Sequence, residues 1–483
     1  MRIPFSAADW VVVIPEIILI VTAAIILMLD AFAKRASDKA SPWVALIGCI
    51  AGLVAVGFMW GRHLSGFGGM LIADNFSELV KMVILTAAAL AILLSVDYAR
   101  REEFQQGEYY SLMLLSTVGM LFLASSANLI MVFLSLEILS IALYIMAGFA
   151  TGRQRSQEAG MKYFLLGSFS AAILIYGVAL IYGATGTTDM RGVASVLASR
   201  GMPGNPILLA GAGLILVGLA FKVAAVPFQM WTPDVYEGAP SPVTAYMSVA
   251  TKAAAFAALT RILVFTFSDL SGVWLAAIWA VAALTMIIGN VVAIAQDNIK
   301  RMLAYSSIAH AGYILVAVAS ANQFGIQSIP FYLIAYAFMN LGAWAVVTAV
   351  TKKGEEATGI HNYSGLFWRN PLLAGSMAVF MFALAGLPPT SGFTAKIYIF
   401  MAAVNAKLTG LLIVAIITTI ISAYFYLRIT VIMFMEKHES EPAVNVPVPV
   451  AIVIGIAVIA TIWLFLFPNS TQAFTDAVWR LML

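Results

Sequence analysis

LIMVFLSLEILSIALYIMAGF, residues 129–149, decides the fold. The run is long enough to cross a bilayer as a helix, which takes about 20 apolar residues, yet Glu137 stands at its centre. Three further runs repeat the conflict. ILLAGAGLILVGLAFKVAAVPF (207–228) carries Lys222, SPVTAYMSVATKAAAFAAL (241–259) carries Lys252, and LAGLPPTSGFTAKIYIFM (384–401) carries Lys396. A charge in hydrocarbon costs about 2.5–3.5 kcal/mol on insertion scales, so such residues face a polar interior or one another. The chain therefore reads as an all-α polytopic membrane protein with an ion or proton path.

Composition agrees. Of 483 residues 62% are hydrophobic and 10% charged, with mean hydropathy +0.97; soluble domains carry about 25% charged residues. The net charge of +3 is scattered. No basic stretch interleaves with aromatics, which argues against nucleic-acid binding. Cys49 is the only cysteine, so an internal disulfide, cysteine zinc site or iron–sulfur ligation is excluded. The four histidines are not arranged to hold haem, and no metal-ligand spacing, P-loop or nucleophile with its base is present. No cofactor-binding or metal residue is assigned. The chain itself has no site for bond chemistry.

Outward from these runs, spans are expected near 10–30, 42–61, 75–97, 109–125, 127–150, 159–184, 205–228, 240–266, 272–296, 302–321, 327–351, 371–401, 409–435 and 446–468. That is about 14 transmembrane helices, with spans four and five in a tight hairpin. The first span is read as retained, with only Arg2 before it. Basic residues favour the joints after odd-numbered spans by roughly two to one, Lys34, Arg35, Lys39, Arg100 and Arg101 among them. The positive-inside rule then places those joints in the cytoplasm and both termini outside. TDMRGVASVLASR, residues 188–200, is expected as a helix on the outer surface.

Two spans carry breaks. Pro227 follows Lys222, and Pro388-Pro389 interrupts span twelve ahead of Lys396. A proline frees a backbone carbonyl, which inside a membrane must face protein or water. Spans seven and twelve run in opposite directions, as an inverted repeat of five helices requires. The division is an N-terminal three-helix segment (1–108), a first five-helix repeat (109–266), a second, inverted repeat (267–436), and a C-terminal helix and tail (437–483). The competing reading is coincidence, since transmembrane helices often contain proline.

Glu137 and Lys222 are candidate partners, each favouring the other's charged form; the bland alternative is a static pair locking two helices. Lys252 has Asp234 or Glu237 as possible partners, both in the preceding loop. His310 stands among Tyr305, Ser306, Ser307 and Tyr313, either as a packed histidine or as a proton relay. Lys81, Lys162, Arg261 and Arg428 lie near span ends and are expected to reach the interface.

QDNIKRMLAYSSIAHAGYIL (296–315), LAGLPPTSGFTAK (384–396) and FKVAAVPFQMWTPDVYEGAPSPVTA (221–245) resemble the antiporter-like membrane subunits of the proton-translocating NADH:quinone oxidoreductase, respiratory complex I. IPEIILIVTAAIILMLDAF (14–32) and FLSLEILSIALYIMAGF (133–149) are most similar to the subunit N branch, as is the length. The resemblance implies a bacterial inner-membrane subunit with broken helices at spans seven and twelve. It implies a proton path over Glu137, Lys222, Lys252, His310 and Lys396. NADH, FMN, iron–sulfur clusters and quinone would be held by partner subunits, with subunit M, small subunits such as K, and lipids as neighbours. Related chains occur in multi-subunit sodium/proton antiporters, which is the alternative function.

Overall fold

The computed structural model describes residues 7–104, 106–201, 204–351, 358–436 and 444–469. Arg2 and most of the expected C-terminal tail lie outside them. Helix α1 (Ala7–Val12) precedes α2 (Ile14–Phe32) and α3 (Lys34–Met59). An antiparallel hairpin, β1 (Leu64–Gly66) with β2 (Leu71–Ala73), sets Ser65 opposite Ile72 and leads into α4 (Asn75–Arg101). Next come α5 (Gly107–Ser125), α6 (Leu129–Ala147), α7 (Gln154–Thr185), α8 (Met190–Arg200), α9 (Pro206–Val223), α10 (Trp231–Gly238) and α11 (Ser241–Thr260). A π-helical stretch, Arg261–Thr266, continues α11. The remainder is α12 (Ser271–Ile294), α13 (Ile299–Ser320), α14 (Gln323–Val350), α15 (Leu366–Arg369), α16 (Pro371–Ala385), α17 (Ser391–Asn405), α18 (Thr409–Met435) and α19 (Val448–Leu466).

Among the described residues, 13 helices are long and apolar enough to cross a membrane. Span twelve is not one of them because it comprises two helices, α16 and α17, parted at residues 386–390. Counting that pair as one crossing gives the expected number. Helix α8 coincides with the amphipathic stretch expected on the surface.

The layers follow from side-chain chemistry. Helices α7 and α18 turn Phe169 and Ile420 outward at 71% and 69% exposure, as lipid-facing residues do. Helices α4, α11, α13 and α14 are buried along nearly their whole length. These four form the centre, and three of them carry a buried cationic or imidazole side chain: Lys81 in the second turn of α4, Lys252 and His310 mid-helix. Small residues bring helices together on the way in. A Cβ on Gly177 of α7 would stand 2.8 Å from the Gly211 carbonyl of α9, so both positions require glycine.

Asparagine caps recur at corresponding places. Asn128 accepts from the Ile130 N–H at the start of α6, and Asn298 accepts from Lys300 and Arg301 at the start of α13. The flanking backbone is bridged alike. Leu129 N–H donates to the Thr188 carbonyl (2.9 Å) and Met190 N–H to Ala127 (3.0 Å). Ile299 N–H donates to Thr358 (2.7 Å) and Ile360 N–H to Asp297 (2.8 Å). Asn205-Pro206 then caps α9 as Asn370-Pro371 caps α16. Each of these two helices ends in a left-handed residue, Ala224 at φ 62° and Gly386 at φ 80°. A cis proline bond follows in each case, Val226–Pro227 and Pro388–Pro389.

Candidate functional site

Lys222 sits in the last turn of α9, two residues before its left-handed cap Ala224. The side chain is buried and reaches sideways to two other helices. Its Nζ donates to Ser140 Oγ of α6 at 2.9 Å and to Tyr163 Oη of α7 at 3.0 Å, and lies 5.1 Å from the centre of the Tyr163 ring. Glu137, one turn before Ser140, is half-buried and opens into the same cleft as Lys222. The cleft has a volume of about 20 Å³, enough for one water. No direct ion pair joins the two among the described residues, so the static locked pair is not what holds α6 to α9 here.

Beyond Lys222 the surroundings change character. Tyr163 stacks on Trp231 with ring centres 4.6 Å apart, and Trp231 meets Tyr236 edge-on at 6.1 Å. The Trp231 indole N–H is spent on the Phe221 carbonyl at 3.0 Å. These rings form an aromatic block next to the Lys222 site.

On α11, Lys252 is 1% exposed and donates its Nζ to the Ser307 carbonyl of α13. The expected partners, Asp234 and Glu237, are engaged elsewhere. Arg301 Nη1 reaches both, at 2.8 Å each, while Lys162 Nζ takes Asp234 at 2.8 Å and Arg155 takes Glu237 at 3.1 Å. Their place on the partly exposed face of the short helix α10 explains this: the basic residues at that face are nearer than a lysine deep in α11. Burial pushes the Asp234 carboxyl up, but the hydrogen bonds and charges of Lys162 and Arg301 outweigh it and hold it below its usual value.

From Ser307 a polar and aromatic network continues. Tyr336 Oη donates to Ser307 Oγ at 2.8 Å, and its ring centre lies 5.1 Å from that of His310. His310 Nδ1 hydrogen-bonds Tyr332 Oη at 2.6 Å, and its Nε2 hydrogen-bonds Tyr426 Oη at 3.3 Å. Tyr313, one turn on, packs edge-on against His310 and presents its face to Lys396 Nζ, 4.7 Å from the ring centre. Lys396 also donates to the carbonyls of Ala385 (2.9 Å) and Leu384 (3.4 Å), and the Leu384 carbonyl lies beside His310. At Gly386 a Cβ would stand 2.7 Å from Lys396 Cδ, so the break leaves room for that lysine only because the residue is glycine.

Lys252, His310 and Lys396 thus share one network, while Glu137 and Lys222 share a cleft on the other side of the aromatic block. Sequence reasoning missed Tyr332, Tyr336 and Tyr426, which α14 and α18 contribute from far along the chain. It also misplaced one cation. Lys81 does not reach an interface but is fully buried between Glu16 and Glu78. Arg261 holds Asp74, just outside the spans, through two hydrogen bonds and lines a cavity there. Lys162 and Arg428 are partly exposed, each paired to an acid at a helix end. Among the described residues no three His, Cys, Asp or Glu side chains stand together as a metal site would need.

A family of membrane proteins described as NADH:quinone oxidoreductase/Mrp antiporter matches residues 126–422, which include every candidate path residue. The chain belongs to this family. The NADH-quinone oxidoreductase subunit N of Trichlorobacter lovleyi is 47% identical over 437 residues, 90% of either chain. A chain of respiratory complex I from Thermus thermophilus, solved with bound aureothin, superimposes with a TM-score of 0.82 at 33% identity. That match covers 95% of this chain and 99% of that one. A chain of the Mrp complex from Dietzia sp. has the same fold, with a TM-score of 0.84 at 21% identity over 98% and 97% of the two chains. Family members of both kinds therefore share the architecture, and the multi-pass membrane character holds for this chain as for them.

Proposed function

We propose that this chain is subunit N in the membrane arm of a proton-pumping NADH:quinone oxidoreductase, and that it provides one proton route. The observation carrying the route is the network that runs from Lys252 through Ser307, Tyr336 and His310 on buried central helices to Lys396 on α17. In this reading Glu137 tunes the proton affinity of Lys222 across their shared cleft. The proton then passes the Tyr163–Trp231–Tyr236 block by side-chain rotation or an inserted water, and moves along the network to Lys396. Each lysine holds a proton by hydrogen bonds to neutral groups, so no counter-ion has to be displaced to release it.

The architecture we read is two inverted five-helix repeats, α5 to α11 and α12 to α18. Support comes from the matched asparagine caps, bridges and left-handed helix ends, which occur in the same order along both halves. The enzyme's redox groups, FMN and iron–sulfur clusters, and its NADH and quinone would lie in other subunits. Subunit M and small subunits such as K would be neighbours, with lipids on the outer faces, in a bacterial inner membrane with both termini periplasmic.

Extraction of the chain from native membranes in mild detergent tests this. NADH:quinone reductase activity should travel with it. If the chain emerges only with other antiporter-like chains, and exchange of sodium for protons proceeds without NADH, the multi-subunit antiporter reading replaces this one.

A further inference from the structure

Lys81 meets two carboxylates. Its Nζ lies 3.0 Å from Glu16 Oε1 of α2 and 3.4 Å from Glu78 Oε1 of α4, with all three side chains at most 1% exposed. Though close, the groups are misaligned: neither Glu16, Glu78 nor Lys81 makes a well-directed side-chain hydrogen bond. Charge alone joins them, and the charges do not balance.

Nothing nearby supplies the missing positive charge among the described residues. Helix α4 packs against α3, α5, α11, α14 and α19, and α2 reaches it through Glu16. From α3 the buried titratable group is Cys49, and α19 brings none. Tyr109 and Tyr110 of α5 lie at its other end, as does Asp30 of α2. Tyr332 and Tyr336 of α14 are engaged with His310 and Ser307. Of α11, Lys252 is directed to α13, and Tyr246 bonds Ser116 and Thr117 of α5. Arg261, on the continuation of α11, is matched by Asp74.

An excess negative charge sealed from water is relieved by taking a proton. We propose that Glu16, Glu78 and Lys81 form a second proton-holding site, separate from the lysine route, with one proton shared by its two carboxyl groups. A cavity of about 560 Å³ is lined by His63, Asp74, Arg191 and Arg261, and Glu78 lies one helical turn below Asp74, to whose carbonyl its N–H donates at 2.9 Å. The inference does not rest on the proposed function, because it follows from charge balance alone.

Infrared spectra of the purified assembly, with Glu16→Gln and Glu78→Gln, test it. The wild type should show the C=O stretch of one protonated carboxylic acid. Either single variant should abolish it, because each leaves one ionised glutamate matched to Lys81. A band unchanged in both variants overturns the proposal. Lys81→Met gives an independent reading should the glutamine variants not assemble: it should add a second protonated-acid band, and absence of that gain also overturns the proposal.

Discussion

Lys396 Nζ donates across the gap between α16 and α17 to the Ala385 carbonyl at 2.9 Å, so the lysine of the second half-helix closes the end of the first. A helix end inside a membrane leaves carbonyls that must be satisfied, and this one uses the lysine that the proposed route ends on to do it. Proton occupancy and integrity of the break are therefore linked. Lys396→Arg keeps a donor but cannot release its proton, whereas Lys396→Met orphans the carbonyl at a cost of about 1–3 kcal/mol. The arginine variant should stay nearer wild-type thermal stability while losing proton pumping. The methionine variant should lose both. Thermal melts and pumping in reconstituted vesicles separate the two effects.

Glu137 and Lys222 act on one step if they share a proton equilibrium across their cleft. Lys222→Ala should depress pumping while the assembly forms, because Ser140 and Tyr163 can turn to each other or to water. Glu137→Gln should lower pumping less. The double variant should resemble Lys222→Ala, as coupled sites are non-additive. Strictly additive pumping defects would separate the pair.

Tyr332 and Tyr426 hold the two ring nitrogens of His310. Tyr332→Phe leaves Nδ1 buried without its partner, a loss of about 1–3 kcal/mol, and cuts one branch of the network. Pumping should slow, with NADH oxidation in uncoupled membranes nearly unchanged. If the histidine is packing alone, stability falls and pumping per electron stays constant.

Asp74 offers a pH test outside the membrane-spanning segments. Burial pushes its carboxyl up, but the charge and hydrogen bonds of Arg261, with Ser77, outweigh this and hold it below its ordinary value. Its stabilising contribution is complete above the unfolded carboxyl value of about 3.9. It is lost as pH falls from there through the depressed folded value. Asp74→Asn should destabilise by about 3–5 kcal/mol at neutral pH, as breaking a buried ion pair does. The gap to wild type should narrow only in acid below that range, as melts across a pH series will report.

The membrane fold was legible because apolar length and interrupting prolines are local properties of the chain. Lys252, His310 and Lys396 stood out for the same reason: each is ionisable within an apolar run. Their connections were not legible, since Tyr332, Tyr336 and Tyr426 are ordinary aromatic residues until α14 and α18 fold against α13. Nearness to a span end misjudged Lys81. Its i,i+3 spacing from Glu78 was the available signal for a buried pair, but the second acid, Glu16, comes from another helix. The paired Asn-Pro caps at 205–206 and 370–371 were visible in the sequence and mark the proposed repeat more sharply than the prolines of spans seven and twelve.

Lys252→Met in the assembled, vesicle-reconstituted complex is the most direct measurement, because Lys252 begins the buried network and contacts no acid. The protons moved and the NADH oxidised are counted together, with and without uncoupler. The account predicts that pumping falls while uncoupled NADH oxidation survives. Wild-type pumping at the wild-type oxidation rate would contradict it.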